Sequence, residues 1–159
     1  MAVARVREDL RGVTILAVEL VARGGVEINR PVEEVYNYLA DMRNEPKWLP
    51  GASGVHLTTP EPIAAGSRFE GTYARAGKVL CELADYDRPR RLTIHGEASA
   101  MSFQDTITLT AVDAGTRLAA EMRTVPKGIF KLAAPLMSRV INKQFQANWD
   151  HLKIVLERS

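Results

Sequence analysis

The chain has 159 residues, of which 46% are hydrophobic and 25% are charged, with one Cys and three His. This composition is typical of a single globular domain and excludes a disordered, collagen-like or disulfide-rich protein. Cys81 alone cannot form an internal disulfide, and the three dispersed His do not have the spacing of a zinc site. We therefore expect no metal and no cofactor.

The net charge of +2 is unevenly distributed, because residues 126–159 carry six basic and two acidic side chains. No helix-turn-helix or other nucleic-acid motif accompanies this excess, so we expect a solvated helix face and no nucleic-acid partner. The apolar run 13–18 is too short for a membrane span and, ending at Glu19, makes a poor signal peptide. The sequence thus predicts a cytoplasmic protein.

Residues 1–12 are predicted to be a flexible N-terminus, followed by one domain over residues 13–159. Residues 14–29 form an extended segment by pattern, in which Gly24-Gly25 predict a bulge or bend. Pro31 and the apolar stripe that follows it, at spacings of 0, 3, 4 and 7 residues, predict a short helix. Residues 44–49 predict a second, briefer helical turn before Pro50-Gly51.

Short runs of alternating apolar and polar residues, separated by Gly, Pro and Asp, extend from residue 53 to residue 125. Their short connections predict an antiparallel meander, because parallel strands would need long crossovers. The predicted strands are 53–59, 67–75, 78–86, 91–97, 101–111 and 116–125. Registers that keep the apolar residues on one face pair Tyr73 with Val79, Gly71 with Cys81, Cys81 with Gly96, Leu83 with Ile94, Ile94 with Asp105 and Asp105 with Met122.

Residues 128–158 predict one long helix with an apolar inward stripe. Pro135 lies inside it and predicts a kink or a restart. Lys127, Lys131, Arg139 and Lys143 accompany apolar residues on several sides of its first half, which suggests either transient membrane contact or, as we prefer, burial against the sheet and the short helices. The stripe consists of Phe130, Ala134, Met137, Ile141, Phe145, Asn148, Leu152 and Val155.

Five stretches of sequence resemble the SRPBCC superfamily, in its polyketide cyclase/dehydrase-like branch: PVEEVYNYLADMRNEPKWLPG (31–51), GSRFEG (66–71), DYDRPRRL (85–92), GTRL (115–118) and KLAAPLMSRVINKQFQANWDHLK (131–153). The resemblance implies an α+β helix-grip (START/Bet v I-like) fold. In this fold a curved seven-stranded antiparallel sheet wraps around a long C-terminal helix, with two short helices after the first strand and a cavity between sheet and helix.

Members of this superfamily bind lipids, polyketides, quinones, sterols or plant hormones, and some cyclise or dehydrate polyketides. The superfamily has no universal catalytic set, so the resemblance transfers no catalytic residue. Small residues at positions 71, 81 and 96, which the predicted registers place side by side, leave room for a cavity in this chain.

Asp105 is the only polar residue in the apolar phase of its strand. Facing inward it would be desolvated, with a raised pKa, and would act as a general acid/base or as a hydrogen-bond partner of a ligand. The alternatives are a structural carboxylate paired with a backbone or Arg donor, and a bulge that turns it outward.

Other candidate residues also carry a structural alternative. Tyr73 either orients a ligand or fills the core with its ring, and Trp48 either lines the mouth of the cavity or packs. Asn148 either reaches the cavity or, as we expect, caps a loop or strand end. Cys81 faces inward while His95 faces outward, so the two cannot form a nucleophile and base pair. His56 and His151 are expected at the surface.

The sequence thus predicts a protein that binds or transports a small hydrophobic ligand, such as a lipid, isoprenoid, quinone or polyketide-like molecule. One alternative is a polyketide cyclase or dehydratase with Asp105 as acid/base, although no second acid or base is evident. The other is an accessory interaction domain whose cavity is incidental. The predicted ligand-binding residues are Trp48, Phe69, Tyr73, Cys81, Ile94, Phe103, Asp105, Met122, Phe130, Met137, Ile141 and Phe145.

Overall fold

A single antiparallel sheet packs one face against a long C-terminal helix. The computed structural model describes the backbone of residues 2–8, 14–128 and 130–158 and the side chains of residues 19–128 and 140–158. The described strands follow the order β1-β2-β8-β7-β6-β5-β4-β3 in the sheet. They are β1 (Ala2–Glu8), β2 (Thr14–Ile28), β3 (Ala52–Leu57), β4 (Arg68–Tyr73), β5 (Gly77–Asp87), β6 (Arg91–Ala98), β7 (Met101–Val112) and β8 (Gly115–Pro126).

The two predicted short helices are present between β2 and β3. Helix α1 (Val32–Ala40) begins directly after Pro31, and α2 (Glu45–Trp48) follows a 3-10 turn over Met42–Asn44. Burial of α1 follows the predicted apolar stripe, because Val35, Tyr36 and Leu39 are all buried.

Strand β1 is an addition to the predicted sheet. The sequence predicts a flexible segment over residues 1–12, whereas Ala2–Glu8 forms a strand that pairs with residues 14–20 of β2. An edge strand is held by backbone hydrogen bonds along one side, so it does not need the apolar alternation by which the inner strands were recognised. The sheet therefore has eight described strands where seven were predicted.

The predicted registers are confirmed from β5 to β8 and are wrong between β4 and β5. Tyr73 pairs with Gly77, two residues from the predicted partner, Val79. The reason is a three-residue loop, in which the Ala76 N–H donates to the Tyr73 carbonyl (3.0 Å) and Gly77 has a φ of +72°. A shift of two residues keeps every side chain on its face, so the inward set is unchanged, but Gly71 lies opposite Val79 rather than Cys81.

The predicted bulge at Gly24-Gly25 is also wrong, since β2 pairs with β8 without interruption from Leu20 to Ile28. These glycines instead permit close approach on both sides of the strand. A Cβ on Gly24 would lie 2.8 Å from Cδ1 of Trp149, and one on Gly25 would lie 2.6 Å from the carbonyl oxygen of Leu118.

The long helix, α3 (Phe130–Arg158), is continuous through Pro135, so the predicted restart does not occur. Its buried stripe differs in part from the predicted one, because Trp149 and Leu156 are buried, whereas Asn148 and Val155 are only partly buried. Phe145 and Leu152 are buried as predicted.

Polar side chains of α3 bind the free edge of β2. Beyond Leu20, β2 pairs only with β8 among the described strands, which leaves alternate backbone groups on its other edge without a strand partner. Three side chains on α3 bind these groups: Asn142 at Arg23 (3.3 Å), Gln146 at both the N–H and the carbonyl of Gly25 (3.1 and 2.9 Å) and Lys153 at Glu27 (2.6 Å). Just after the strand, Glu157 accepts a hydrogen bond from the backbone N–H of Asn29 (2.8 Å).

Replacement of Gln146 tests this edge contact. We expect Gln146→Met to lower the free energy of unfolding by about 1–3 kcal/mol, because two partly buried hydrogen bonds are lost, and to speed amide exchange at Gly25. Gln144→Met is the matched control, since Gln144 is exposed on the same helix. Urea denaturation and hydrogen exchange measure both effects, and equal stability of the two variants would contradict the role of Gln146.

Candidate functional site

One end of the inward face of the sheet is hollow. A cavity of about 270 Å³ lies there between the sheet, α2 and α3. The residues that line it are Glu45, Trp48, Leu49, Tyr73, Arg75, Ala76, Val79, Cys81, Ile94, Met101, Phe103, Asp105, Met122, Thr124, Phe145, Asn148 and Trp149.

The other end of the same face is solid. Leu83, Leu92, Ile107 and Leu118 lie on the strands that line the cavity, yet each is almost completely buried and none contributes to the lining. The core of the domain therefore occupies one end of the sheet, and the cavity occupies the other.

Trp48 and Trp149 form part of the cavity wall where α2 meets α3. Their rings stack at a centroid distance of 5.3 Å and an interplanar angle of 24°. Beside them, Nδ1 of His151 lies 2.6 Å from the carbonyl oxygen of Trp48. His151 is thus half-buried and bonded to α2 rather than at the surface as predicted, because α2 covers this part of α3.

Asp105 faces the cavity, as predicted. It lies between Ile94 and Met122 in the register, and no partner within hydrogen-bonding distance of its buried Oδ1 exists among the described residues. Burial, and next the charge of Glu45, raise the pKa of Asp105 to about 7, against the opposing effect of a hydrogen bond from the backbone N–H of Thr106.

Glu45 is a second carboxyl group of the cavity, which the sequence did not predict. It is the first residue of α2 and accepts a hydrogen bond from the Tyr73 hydroxyl at its Oε2. Burial raises the pKa of Glu45 to about 7, and the bond from Tyr73 opposes the rise. Glu45 lies in a polar stretch without periodicity, so no local signal distinguishes it from an exposed residue.

The thiol and the phenol of the cavity are both neutral at ordinary pH. Burial, and next the charge of Glu45, raise the pKa of Cys81 to about 12 and raise that of Tyr73 as well. His95 pairs with Glu82 and is exposed on the opposite face. The conclusion that Cys81 is not an activated nucleophile is therefore supported.

Eight of the predicted ligand-binding residues line the cavity, namely Trp48, Tyr73, Cys81, Ile94, Phe103, Asp105, Met122 and Phe145. Phe69 and Ile141 do not, because Phe69 is enclosed in the core and Ile141 packs against it. Phe130 and Met137 lie outside the residues whose side chains are described. Asn148 lines the cavity and accepts from Gln144 (3.0 Å), so its expected role as a cap is wrong.

Small residues do not create the open volume in the way the sequence suggested. A Cβ on Gly96 would overlap the ring of Phe103, and one on Gly71 would lie 2.8 Å from Cγ2 of Val55. Larger neighbours therefore already occupy the space beside both glycines. Of the three small residues, only Cys81 lines the cavity.

No group of three or more His, Cys, Asp or Glu that could hold a metal ion occurs in the described part of the chain. Within the same residues, no helix is both long enough and apolar enough to cross a membrane.

A family model described as "Polyketide cyclase / dehydrase and lipid transport" matches residues 19–157. The chain belongs to this family. The SRPBCC assignment made from the sequence is thereby confirmed. The search of curated proteins found no match to this sequence.

Solved structures similar to this polyketide cyclase/dehydrase and lipid transport family member share its fold. A START superfamily protein from Mycobacterium smegmatis has a TM-score of 0.73 at 10% identity, over 87% of this chain and 98% of that one. The protein TTHA0849 from Thermus thermophilus has a TM-score of 0.68 at 20% identity, over 88% of this chain and 97% of that one. Ara h 8.0201 has a TM-score of 0.66 at 12% identity, over 89% of this chain and 99% of that one. At these identities the likeness shows the fold alone, and it confirms the predicted helix-grip architecture.

Buried Asp105 makes the stability of the domain dependent on pH. Its pKa is about 7 in the fold against an ordinary value of 3.8, so ionisation of Asp105 opposes folding, and stability is lost as pH rises from about 4 to above 7. At pH 8 we expect the free energy of unfolding of Asp105→Asn to exceed that of the wild type by on the order of a few kcal/mol, so that the variant unfolds at a higher denaturant concentration. Near pH 4 we expect no gain.

The control for this prediction is Asp113→Asn, the same change in an exposed turn. Urea denaturation at pH 4, 6 and 8 measures the three proteins. A gain from Asp105→Asn that is as large at pH 4 as at pH 8 would contradict the assigned ionisation.

Proposed function

We propose that this protein binds a small, largely apolar molecule in the cavity between the sheet and α3. The observation that carries this proposal is the cavity itself, walled mainly by apolar and aromatic side chains with a few polar groups, which is the usual form of a small-molecule site. The family description, with its reference to lipid transport and to cyclase or dehydrase activity, is consistent with such a ligand.

The walls and the polar groups would have different tasks. Ile94, Met122 and Phe145 exclude water, so that burial of apolar ligand surface supplies the affinity. Asp105 and Glu45 orient the ligand, because a hydrogen bond left unmade in such surroundings is costly.

The volume favours a compact ligand. Small-molecule sites range over ~300–1,000 Å³, and about 270 Å³ lies just below that range. A molecule of about one to three rings, or an acyl chain of comparable size, therefore suits the cavity better than an intact two-chain lipid.

The two tryptophans allow a direct test, since they are the only Trp in the chain and both line the cavity. The probe is N-phenyl-1-naphthylamine, an apolar fluorophore whose aryl nitrogen is uncharged at neutral pH. We expect saturable energy transfer from Trp48 and Trp149 to this probe at about one probe per chain.

Two adjacent residues of β6 provide matched variants, because Ile94 faces the cavity and His95 faces solvent. Ile94→Phe should weaken probe binding about tenfold or more by filling the cavity, whereas His95→Phe should leave it unchanged. Met122→Phe is a second filling variant, and thermal melts verify that each variant folds. Equal binding by all variants, or no probe binding at all, would overturn the proposal and favour the accessory interaction role.

A second candidate function is acid–base catalysis of the cyclase or dehydratase type. The specific observation in its favour is Glu45, because the sequence offered Asp105 without a second acid or base. The pKa values of both carboxyls are raised to about 7, so each is partly protonated near neutral pH, which suits one group to donate a proton while the other accepts one.

Turnover of aromatic polyketide precursors tests this candidate. A catalytic pair predicts a bell-shaped dependence of kcat/KM on pH, centred near pH 7, and a loss of about 10²–10⁴-fold in Asp105→Asn and in Glu45→Gln. Asp113→Asn should retain full activity. Unchanged turnover in both cavity variants, or none in wild type, would eliminate catalysis by this pair.

A further inference from the structure

The charged groups of the cavity are predominantly acidic. Among the lining residues, Glu45 and Asp105 are carboxyls, and the single basic residue, Arg75, is exposed. No basic side chain among the described residues contributes to the pKa of either carboxyl. The carboxyl groups therefore have no built-in counter-charge in the described part of the chain.

Two carboxyl groups in apolar surroundings need compensation. An unpaired buried charge is very costly, and it is relieved either by a proton or by a cation with good hydrogen bonds. Tyr73 donates one hydrogen bond to Glu45, but Oδ1 of Asp105 is buried and has no partner among the described residues. This oxygen is thus a hydrogen-bond acceptor without a donor among the described residues, at the wall of a cavity that can hold a ligand.

We propose that the ligand of this cavity carries a protonated amine, which donates to Oδ1 of Asp105 and is neutralised by the acidic pair of Asp105 and Glu45. This inference rests on the proposed binding function and adds the chemical class of the ligand to it. The apolar remainder of the ligand contacts the aromatic wall of Trp48 and Trp149. A ligand with a carboxylate head group is rejected, because like charges would meet in a desolvated site.

Binding of the ligand's ammonium group replaces a proton held by the carboxyl groups of the cavity, so the binding depends on which groups there titrate. The titratable groups that line the cavity are Glu45 on α2, Tyr73 on β4, Arg75 in the loop after it, Cys81 on β5 and Asp105 on β7. None comes from β6, from β8 or from the described part of α3. Raised pKa values keep Tyr73 and Cys81 neutral, whereas the pKa values of the two carboxyl groups lie near 7, so the carboxyl groups titrate between pH 6 and pH 8.

The entering ammonium group displaces the proton held by the pair, which passes to solvent. Amine affinity therefore rises from pH 6 to pH 8, while the affinity for a neutral ligand of the same shape does not rise.

Three probes that share a phenyl ring and differ in their head group test the inference: 2-phenylethylamine, 2-phenylethanol and phenylacetate. Isothermal titration calorimetry at pH 6, 7 and 8, in two buffers of different ionisation enthalpy, gives affinity and proton release. At pH 8 we expect the amine to bind roughly 10- to 100-fold more tightly than the alcohol, as a charged hydrogen bond contributes, with phenylacetate weakest and proton release seen for the amine alone.

Variants distinguish recognition of the head group from binding of the apolar part of the ligand. Asp105→Asn should weaken amine binding by about tenfold or more while leaving the alcohol within about threefold, and Asp113→Asn should behave as wild type. Glu45→Gln is the second cavity variant if Asp105→Asn does not fold.

Two results would overturn the inference, and they are distinguishable. Alcohol binding as tight as amine binding, or an amine affinity that both cavity variants retain, would eliminate the amine and leave the proposed binding function intact. No binding of these three probes or of N-phenyl-1-naphthylamine would overturn both.

Discussion

The bonding of α3 to the unpaired edge of β2 holds the helix against the sheet and so positions one wall of the cavity. Backbone groups on that edge must find partners, and Gln146 supplies two of them at Gly25. Gly24 allows the ring of Trp149 to approach the strand where a Cβ would obstruct it. The helix is thereby held tightly over β2, and the space that remains on the inner face of β5 to β8 is the cavity.

The electrostatic character of the cavity arises from three elements that are distant in sequence. Strand β7 places Asp105 on the inner face, α2 brings Glu45 over the same space, and β4 supplies the Tyr73 hydroxyl that binds Glu45. Each residue alone would be ordinary. Their removal from water by the aromatic wall makes them a pair of weak acids close to neutrality, because burial is the largest cause of the rise in pKa for both carboxyl groups.

Local sequence patterns were sufficient to predict most of the fold. They also predicted the one site residue that interrupts an apolar pattern, Asp105. Asp105 could be predicted because it is polar in an apolar phase, whereas Glu45 could not, because only the docking of α2 removes it from water. Trp149 was missed for a geometric reason, since an error of one residue on a helix turns a side chain by about 100°. The turn between β4 and β5 was misplaced by sequence, because the left-handed Gly77 ends the loop there and pairs with Tyr73.

The division of β5 to β8 into a solid and a hollow part separates two kinds of position that differ in their tolerance of substitution. Leu83 and Ile107 are enclosed, so a change of size there costs folding energy. Ile94 and Met122, next to them on the same inner face, border empty volume instead. Substitutions at the hollow end should therefore change the shape of the cavity while the framework is preserved. Redesign of the cavity would begin at those positions, with the solid half of β5 to β8 left as it is.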